Sequence, residues 1–271
     1  MGILDGKVAI VTGGSRGIGA EIALRFTEVG AAVAVAARSA GPGTSPLPGT
    51  IIETVDRIRA AGGTAVPIQI DLSHPEDRER LVAESTAQLG VPDILVNNGA
   101  VTYFAPVADF RESRYDIMYE VQVKAAFQLA QLVIPGMKEK GEGWILNISS
   151  GAARHPALPP TGRAGAGGTV YGMVKASLER FSSGLAAELW DDNISVNALS
   201  PNKAVPTPGT IYHQLTTEDD PDNEPREVFA EAALMLCSAK PKTLTGRIAY
   251  SMDLLDELGV PHPARRPPLN Q

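Results

Sequence analysis

The sequence has a single cysteine, Cys237, in 271 residues, so an internal disulfide is excluded. Alone in a chain of this size, Cys237 reads as a small buried apolar residue in a reducing compartment. Histidine is scarce too. His74, His155, His213 and His262 show no ligand spacing such as HExxH, and no metal site is expected. Positive charge is in deficit: net charge is −7 and the pI about 5.2. That excludes the clustered Lys and Arg of a nucleic-acid or anionic-membrane surface. No apolar run approaches the roughly 20 residues of a membrane span. The opening MGILDGKVAIV has no basic stretch followed by an apolar run and cleavage site, and Gly6 stands where a myristoylation signal needs Ser or Thr. A cytoplasmic protein is expected.

What the chain does have is aliphatic bulk: 44% hydrophobic residues against only 5% aromatic, enough for a sizeable core. Short β-branched apolar runs alternate with helical patterns. Strands are predicted at 7–12, 31–37, 64–72, 93–98, 144–150 and 194–199. Helices are predicted after the first glycine turn, near 50–61, near 76–89, over 111–139 and over 170–191. Such repeated strand–helix units imply parallel strands with right-handed crossovers. The strands lack polar alternation, as expected when helices cover both sheet faces. The predicted architecture is α/β: one Rossmann-type, doubly wound sheet of about seven strands, with its ligand crevice at the strands' carboxyl ends. Pro/Gly-rich or acidic loops at 39–49, 152–169 and 201–225 all follow strand ends and belong on that side. The domain is drawn as 1–259, with a Pro- and Arg-rich tail, 260–271, expected to be disordered or draped on a neighbour.

The first strand runs into Thr12-Gly13-Gly14-Ser15-Arg16-Gly17-Ile18-Gly19. Glycine there lets the backbone turn tightly against a pyrophosphate whose charge the helix N-terminus favours. Further on, Tyr171 and Lys175 stand at i and i+4, one face of a helix. A free phenol is a poor base at neutral pH, and a nearby ammonium favours the phenolate. At the end of the second strand Ala37 stands where enzymes using NAD usually carry an acidic residue, and Arg38 and Ser39 follow. With Arg16 inside the glycine turn, two guanidinium groups and no carboxylate suit a 2′-phosphate. NADP(H) is therefore preferred over NAD(H), which remains possible.

Together these residues resemble the short-chain dehydrogenase/reductase family over nearly the whole chain to about residue 250. The family's TGxxxGxG turn matches Thr12 to Gly19. Its NNAG element matches Asn97-Asn98-Gly99-Ala100 with the last two letters exchanged. Its serine after the fifth strand matches Ser150, and its YxxxK matches Tyr171 and Lys175. The segments PLPGTIIETVDRIRAAGGTAVP and EAALMLCSAKPKTLTGR are similar to the hydroxysteroid-dehydrogenase-like branch, and to relatives linked to terpenoid alcohols such as citronellol.

The resemblance implies an enzyme that interconverts a neutral hydrophobic alcohol with its ketone or aldehyde. Tyr171 would be the acid/base, and Ser150, rather than Ser149, would bond the substrate oxygen. Lys175 would hold the nicotinamide ribose and lower the tyrosine pKa. The cofactor would be held by Thr12, Gly13, Ser15, Arg16, Gly17, Ile18, Gly19, Arg38, Ser39, Asp71, Leu72, Asn98, Gly99, Ala100 and Pro201, together with Tyr171 and Lys175. Asn97 would help hold the central strands. A homodimer or homotetramer through the helices at 111–139 and 170–191 is also implied.

Three departures stand out. Gln122 occupies the place of the family's helix Asn, which anchors a water beside the lysine. Ser150 and Tyr171 stand 21 positions apart, more than the family norm, suggesting a mobile loop at the substrate mouth. Pro201-Asn202 replaces the usual Pro-Gly, leaving Thr207 or Thr210 as weak candidates to contact the carboxamide. Two competing readings are a carbonyl reductase of acyl-carrier substrates and, in another class, a cofactor-binding protein without turnover. The acidic run Glu218 to Asp222 disfavours the first, because it repels acidic substrates.

Overall fold

The computed structural model describes residues 2–41, 43, 45–160 and 167–265. Seven parallel strands form one sheet in the order β3-β2-β1-β4-β5-β6-β7. They are β1 (Val8–Thr12), β2 (Ala32–Ala37), β3 (Thr64–Gln69), β4 (Ile94–Asn97), β5 (Gly143–Ile148), β6 (Ile194–Ser200) and β7 (Ile248–Tyr250). The helices are α1 (Gly17–Glu28), α2 (Ile51–Ala60), α3 (Pro75–Leu89), α4 (Glu112–Tyr119), α5 (Ala125–Lys140), α6 (Thr169–Glu188), α7 (Pro208–Tyr212), α8 (Arg226–Ser238) and α9 (Ser251–Leu258).

Alternate strand residues enter different cores, which explains why the strands are apolar throughout. Ala9, Val11, Val33 and Val35 pack with Ile22, Phe26 and Phe229 on one face. Ile10, Ala34 and Ala36 pack with Leu81, Leu129 and Val133 on the other. Strand order reverses between β1 and β4, so the crevice of a doubly wound sheet opens at Thr12 and Asn97. The first six strands fall within a few residues of their predicted positions. β7 has three residues, too few to show a period.

The helix predicted over 111–139 is interrupted. Between α4 and α5, Glu120–Lys124 forms a π turn. Arg78, fully buried, bonds the Leu72 carbonyl, Gln128 Oε1 and Glu120 Oε1, tying this turn to the end of β3. Such turns are rare in globular proteins and recur at functional sites.

The described part of the C-terminal segment packs on its own chain. Val260, Pro261 and Pro263 line a cavity of about 320 Å³ with Glu21, Arg25 and Glu231, against α1 and α8 of the same chain. Arg265 donates to the Glu218 carbonyl and carboxylate at 2.7 and 3.0 Å, anchoring the segment in cis. Residues 266–271 of that tail, like 161–166 of the 152–169 loop, lie outside the described residues. Among the described residues, no helix is long and apolar enough to cross a membrane.

Candidate active site

The glycine turn is stitched to the end of β4. Thr12 Oγ1 accepts from the backbone N–H groups of Asn98 and Gly99, both at 3.0 Å, and donates to the Val96 carbonyl. Asn98 Nδ2 returns bonds to the carbonyls of Thr12 and Gly13 at 2.9 and 3.2 Å. Gly13 has φ +66°, and a Cβ there would lie 2.8 Å from the Gly99 Cα. A Cβ on Gly19 would lie 2.4 Å from the Gly13 carbonyl oxygen. Only bare backbone fits. Leu72 closes the floor, since a Cβ on Gly99 would meet its Cδ1 at 2.5 Å.

No side chain caps the N-terminus of α1, and its first turn holds no acidic residue. Its leading N–H groups and partial positive charge therefore face the crevice ready for an anion. This cradle fits a dinucleotide pyrophosphate. Thr207 lies over it: a Cβ on Gly17 would come within 2.9 Å of the Thr207 methyl. The hydroxyls of Thr207 and Thr210 form the capping box of α7, which accounts for both.

The end of β2 gathers the predicted phosphate ligands. Arg16 reaches Ser15, Ser39, Ser45 and the Gly49 carbonyl at 2.7–3.2 Å. Burial pushes its pKa down, and the nearby Arg38 cation does so further. Arg38 is two-thirds exposed and stands 4.0 Å from Asp71, whose Oδ1 accepts from the N–H and hydroxyl of Ser73.

At the other end of the crevice, the Ser150 hydroxyl stands beside the Tyr171 phenol, close enough to favour its ionised form. Ser150 Oγ also accepts from the Ala152 N–H at 3.2 Å. Lys175 is buried, 5.7 Å from the centre of the Tyr171 ring, with its Nζ donating to the Ile148 carbonyl at 2.7 Å. Desolvation pushes Lys175 down to about 7, so near neutral pH it is divided between charged and neutral forms. Burial also pushes the Tyr171 phenol above its ordinary value, opposed in part by the Ser150 hydroxyl. The lowering of the phenol expected from the i, i+4 spacing would act against this burial. That effect requires a charged Lys175, which an anion beside it would favour.

Ser149, the rival serine, donates to Glu179 Oε1 at 2.7 Å and is buried. Its hydroxyl is committed to α6. Ser150→Ala is expected to cut turnover by about 100-fold, the size of a lost oxyanion donor. Ser149→Ala should leave turnover within a fewfold, and side-by-side steady-state kinetics checks both.

Among the described residues Gln122 and Lys175 share no direct hydrogen bond. The Gln122 Nε2 donates to the Val101 carbonyl at 2.8 Å, and its buried Oε1 has no hydrogen-bond partner among the described residues. A buried acceptor of this kind suits a water. Asn97 bonds Asn147 at 2.8 Å, and Asn147 bonds Ser182, fastening β4, β5 and α6. Pro201 follows β6 directly. Its neighbour Asn202 accepts from the N–H groups of Met252 and Asp253, capping α9, which explains the departure from Pro-Gly. Sequence reasoning passed over Phe104, whose ring meets Tyr171 edge-on at 5.5 Å and His213 at 5.6 Å. No periodicity marks a loop aromatic.

Residues 7–214 match the family model for short chain dehydrogenases. The chain belongs to the short-chain dehydrogenase family. It is an oxidoreductase with a Rossmann-type fold, of a family that depends on pyridine nucleotides. It is 34% identical to the 7alpha-hydroxysteroid dehydrogenase of Escherichia coli, over 90% of this chain and 92% of that protein. Human hydroxysteroid dehydrogenase-like protein 2 is 31% identical over 96% of this chain, which spans 60% of that protein's length. A short chain dehydrogenase of Pseudocercospora fijiensis is 35% identical over 82% of this chain and 65% of its own. Among solved structures, a Mycobacterium thermoresistibile short chain dehydrogenase homologue superposes with a TM-score of 0.81 at 34% identity, covering 95% of this chain and 89% of that one. A blue fluorescent protein from a metagenomic library, solved with NADPH, gives 0.76 at 28% identity, covering 91% and 96%.

Proposed function

We propose that this protein is an NADP(H)-preferring oxidoreductase that interconverts a neutral, hydrophobic alcohol with its ketone or aldehyde. The observation that carries this reading is the placing of Ser150 and Tyr171 side by side, with Lys175 buried beneath the Tyr171 ring and an arginine pair at the other end of the crevice. When bound, the nicotinamide would supply or accept the hydride. Tyr171 Oη would give its proton to the substrate oxygen in reduction and take it back in oxidation. Ser150 would hold the same oxygen and stabilise charge developing on it. Lys175 would hold the nicotinamide ribose hydroxyls, and Arg16 and Arg38 the 2′-phosphate.

An apolar substrate is supported by the surroundings of Tyr171: it packs against the Met118, Val170 and Val174 cluster that Val101, Tyr103 and Phe110 also adjoin, with Phe104 against its ring. The E. coli and human relatives carry hydroxysteroid names, and a steroid-like or terpenoid alcohol suits that lining. Exposed Tyr119, Phe127 and Met173 on α4, α5 and α6 support a homo-oligomer through those helices.

Titration with NADPH and NADH, followed by nicotinamide fluorescence and then a panel of steroid, terpenoid and aliphatic carbonyls, tests the proposal. NADPH should bind at least about tenfold tighter than NADH, the size of one charge-assisted hydrogen bond to the phosphate. Turnover should appear on an apolar member of the panel. Preferred NADH binding overturns the roles of Arg16 and Arg38. Binding without turnover in either direction supports a cofactor-binding protein instead.

A further inference from the structure

The loop Ser39–Ile51 is closed at its neck, where the Ile51 N–H donates to the Ser39 carbonyl at 2.9 Å. Arg16 enters this loop from the glycine turn. Its Nη1 donates to Ser45 Oγ at 3.1 Å, and its Nη2 to Ser39 Oγ at 2.7 Å and the Gly49 carbonyl at 2.8 Å. Gly49, at φ +97°, permits the approach: a Cβ there would lie 2.6 Å from the Ser15 carbonyl oxygen and 3.0 Å from the Arg16 Cβ. The described residues of the loop are thus built onto the glycine-turn side of the crevice.

All four hydrogen-bond acceptors on the half-buried Arg16 are neutral. Glu53, the nearby carboxylate, accepts from the Thr50 N–H in the capping box of α2. A second guanidinium, Arg38, stands close enough to disfavour the charge on Arg16. Arg38 is exposed and stands 4.0 Å from Asp71, whereas no carboxylate is hydrogen-bonded to Arg16, and two guanidinium groups this close together suit a dianion. Ser45 is equipped to receive it. Its oxygen already accepts from Arg16 and from the Leu47 N–H at 3.1 Å, while its proton has no acceptor among the described residues. A hydroxyl polarised in this way is a donor awaiting an anionic oxygen.

We propose that Ser45, supplied by the loop after β2, is a specificity-determining ligand of the adenosine 2′-phosphate, acting in concert with Arg16. The inference rests on the NADP(H) reading and extends it to a residue outside the family motif.

Calorimetric titration with 2′,5′-ADP and 5′-ADP isolates the phosphate from the nicotinamide. The unmodified protein should bind 2′,5′-ADP at least about tenfold tighter than 5′-ADP. Ser45→Ala should weaken 2′,5′-ADP about tenfold and leave 5′-ADP within twofold, while Ser45→Thr, which keeps the hydroxyl, should restore most of the affinity. An unchanged 2′,5′-ADP affinity in Ser45→Ala overturns the role of Ser45 and leaves the NADP(H) reading standing. Equal losses for both nucleotides also overturn it, showing that the hydroxyl serves loop packing. A lack of preference in the unmodified protein removes the NADP(H) reading and this inference together.

Discussion

Replacing Tyr171 by Phe should lower turnover about 1000-fold, in the middle of the range for a lost general acid, while NADPH affinity stays within about twofold. The substitution deletes the hydroxyl beside Ser150 and keeps the ring, so the edge-on contact with Phe104 survives. Steady-state kinetics beside a fluorescence titration separates the two effects. Retained turnover would remove Tyr171 from the chemistry. Equal loss of turnover and cofactor binding would mean instead that the phenol holds the site together. The residual pH dependence is informative as well. In the unmodified enzyme the phenol starts above its ordinary value, so any base-dependent rise of the oxidation rate near neutral pH requires Lys175 in its charged form. Tyr171→Phe should flatten that rise.

Lys175→Met should abolish turnover and yet stabilise the cofactor-free protein. The sign follows from the lysine's environment. Burial lowers its pKa in the folded state to about 7, against an ordinary value of 10.5, so the folded form binds the proton less tightly than the unfolded chain. Below about pH 7 the native state carries the whole penalty of that buried charge, and the penalty fades as pH rises toward 10.5. The gap corresponds to roughly 5 kcal/mol. Met fills a similar volume without charge, but the Ile148 carbonyl loses its donor, which offsets roughly 1–2 kcal/mol. A net gain of about 3 kcal/mol is expected below pH 7, shrinking toward pH 10. Thermal unfolding across pH 6–10 measures it. A destabilised variant at pH 6 would mean that Lys175 is held by compensating contacts and that its site is not desolvated. The same comparison with NADPH present should favour the unmodified protein, since an anion beside Lys175 restores its charge.

Fold class and most site residues are legible in the sequence because both rest on local chemistry. Apolar runs such as VAIVT and AVAVAA show no polar alternation, and that pattern alone requires helices on both sheet faces. The glycine turn is legible because Gly13 and Gly19 stand where any side chain would collide with backbone. Tyr171 and Lys175 are legible because i, i+4 spacing puts them on one face of a single helix.

The tertiary structure decided the rest. It committed Ser149 to Glu179 and set Ser150 against Tyr171, a choice between adjacent residues that depends on how the chain leaves β5. It tied Gln122 to the Val101 carbonyl from a π turn held by Arg78, which is remote in sequence. It also buried both groups of the Tyr171–Lys175 pair, so that desolvation raises the phenol and lowers the ammonium. Proximity can be counted along a helix, whereas desolvation depends on everything that packs around it.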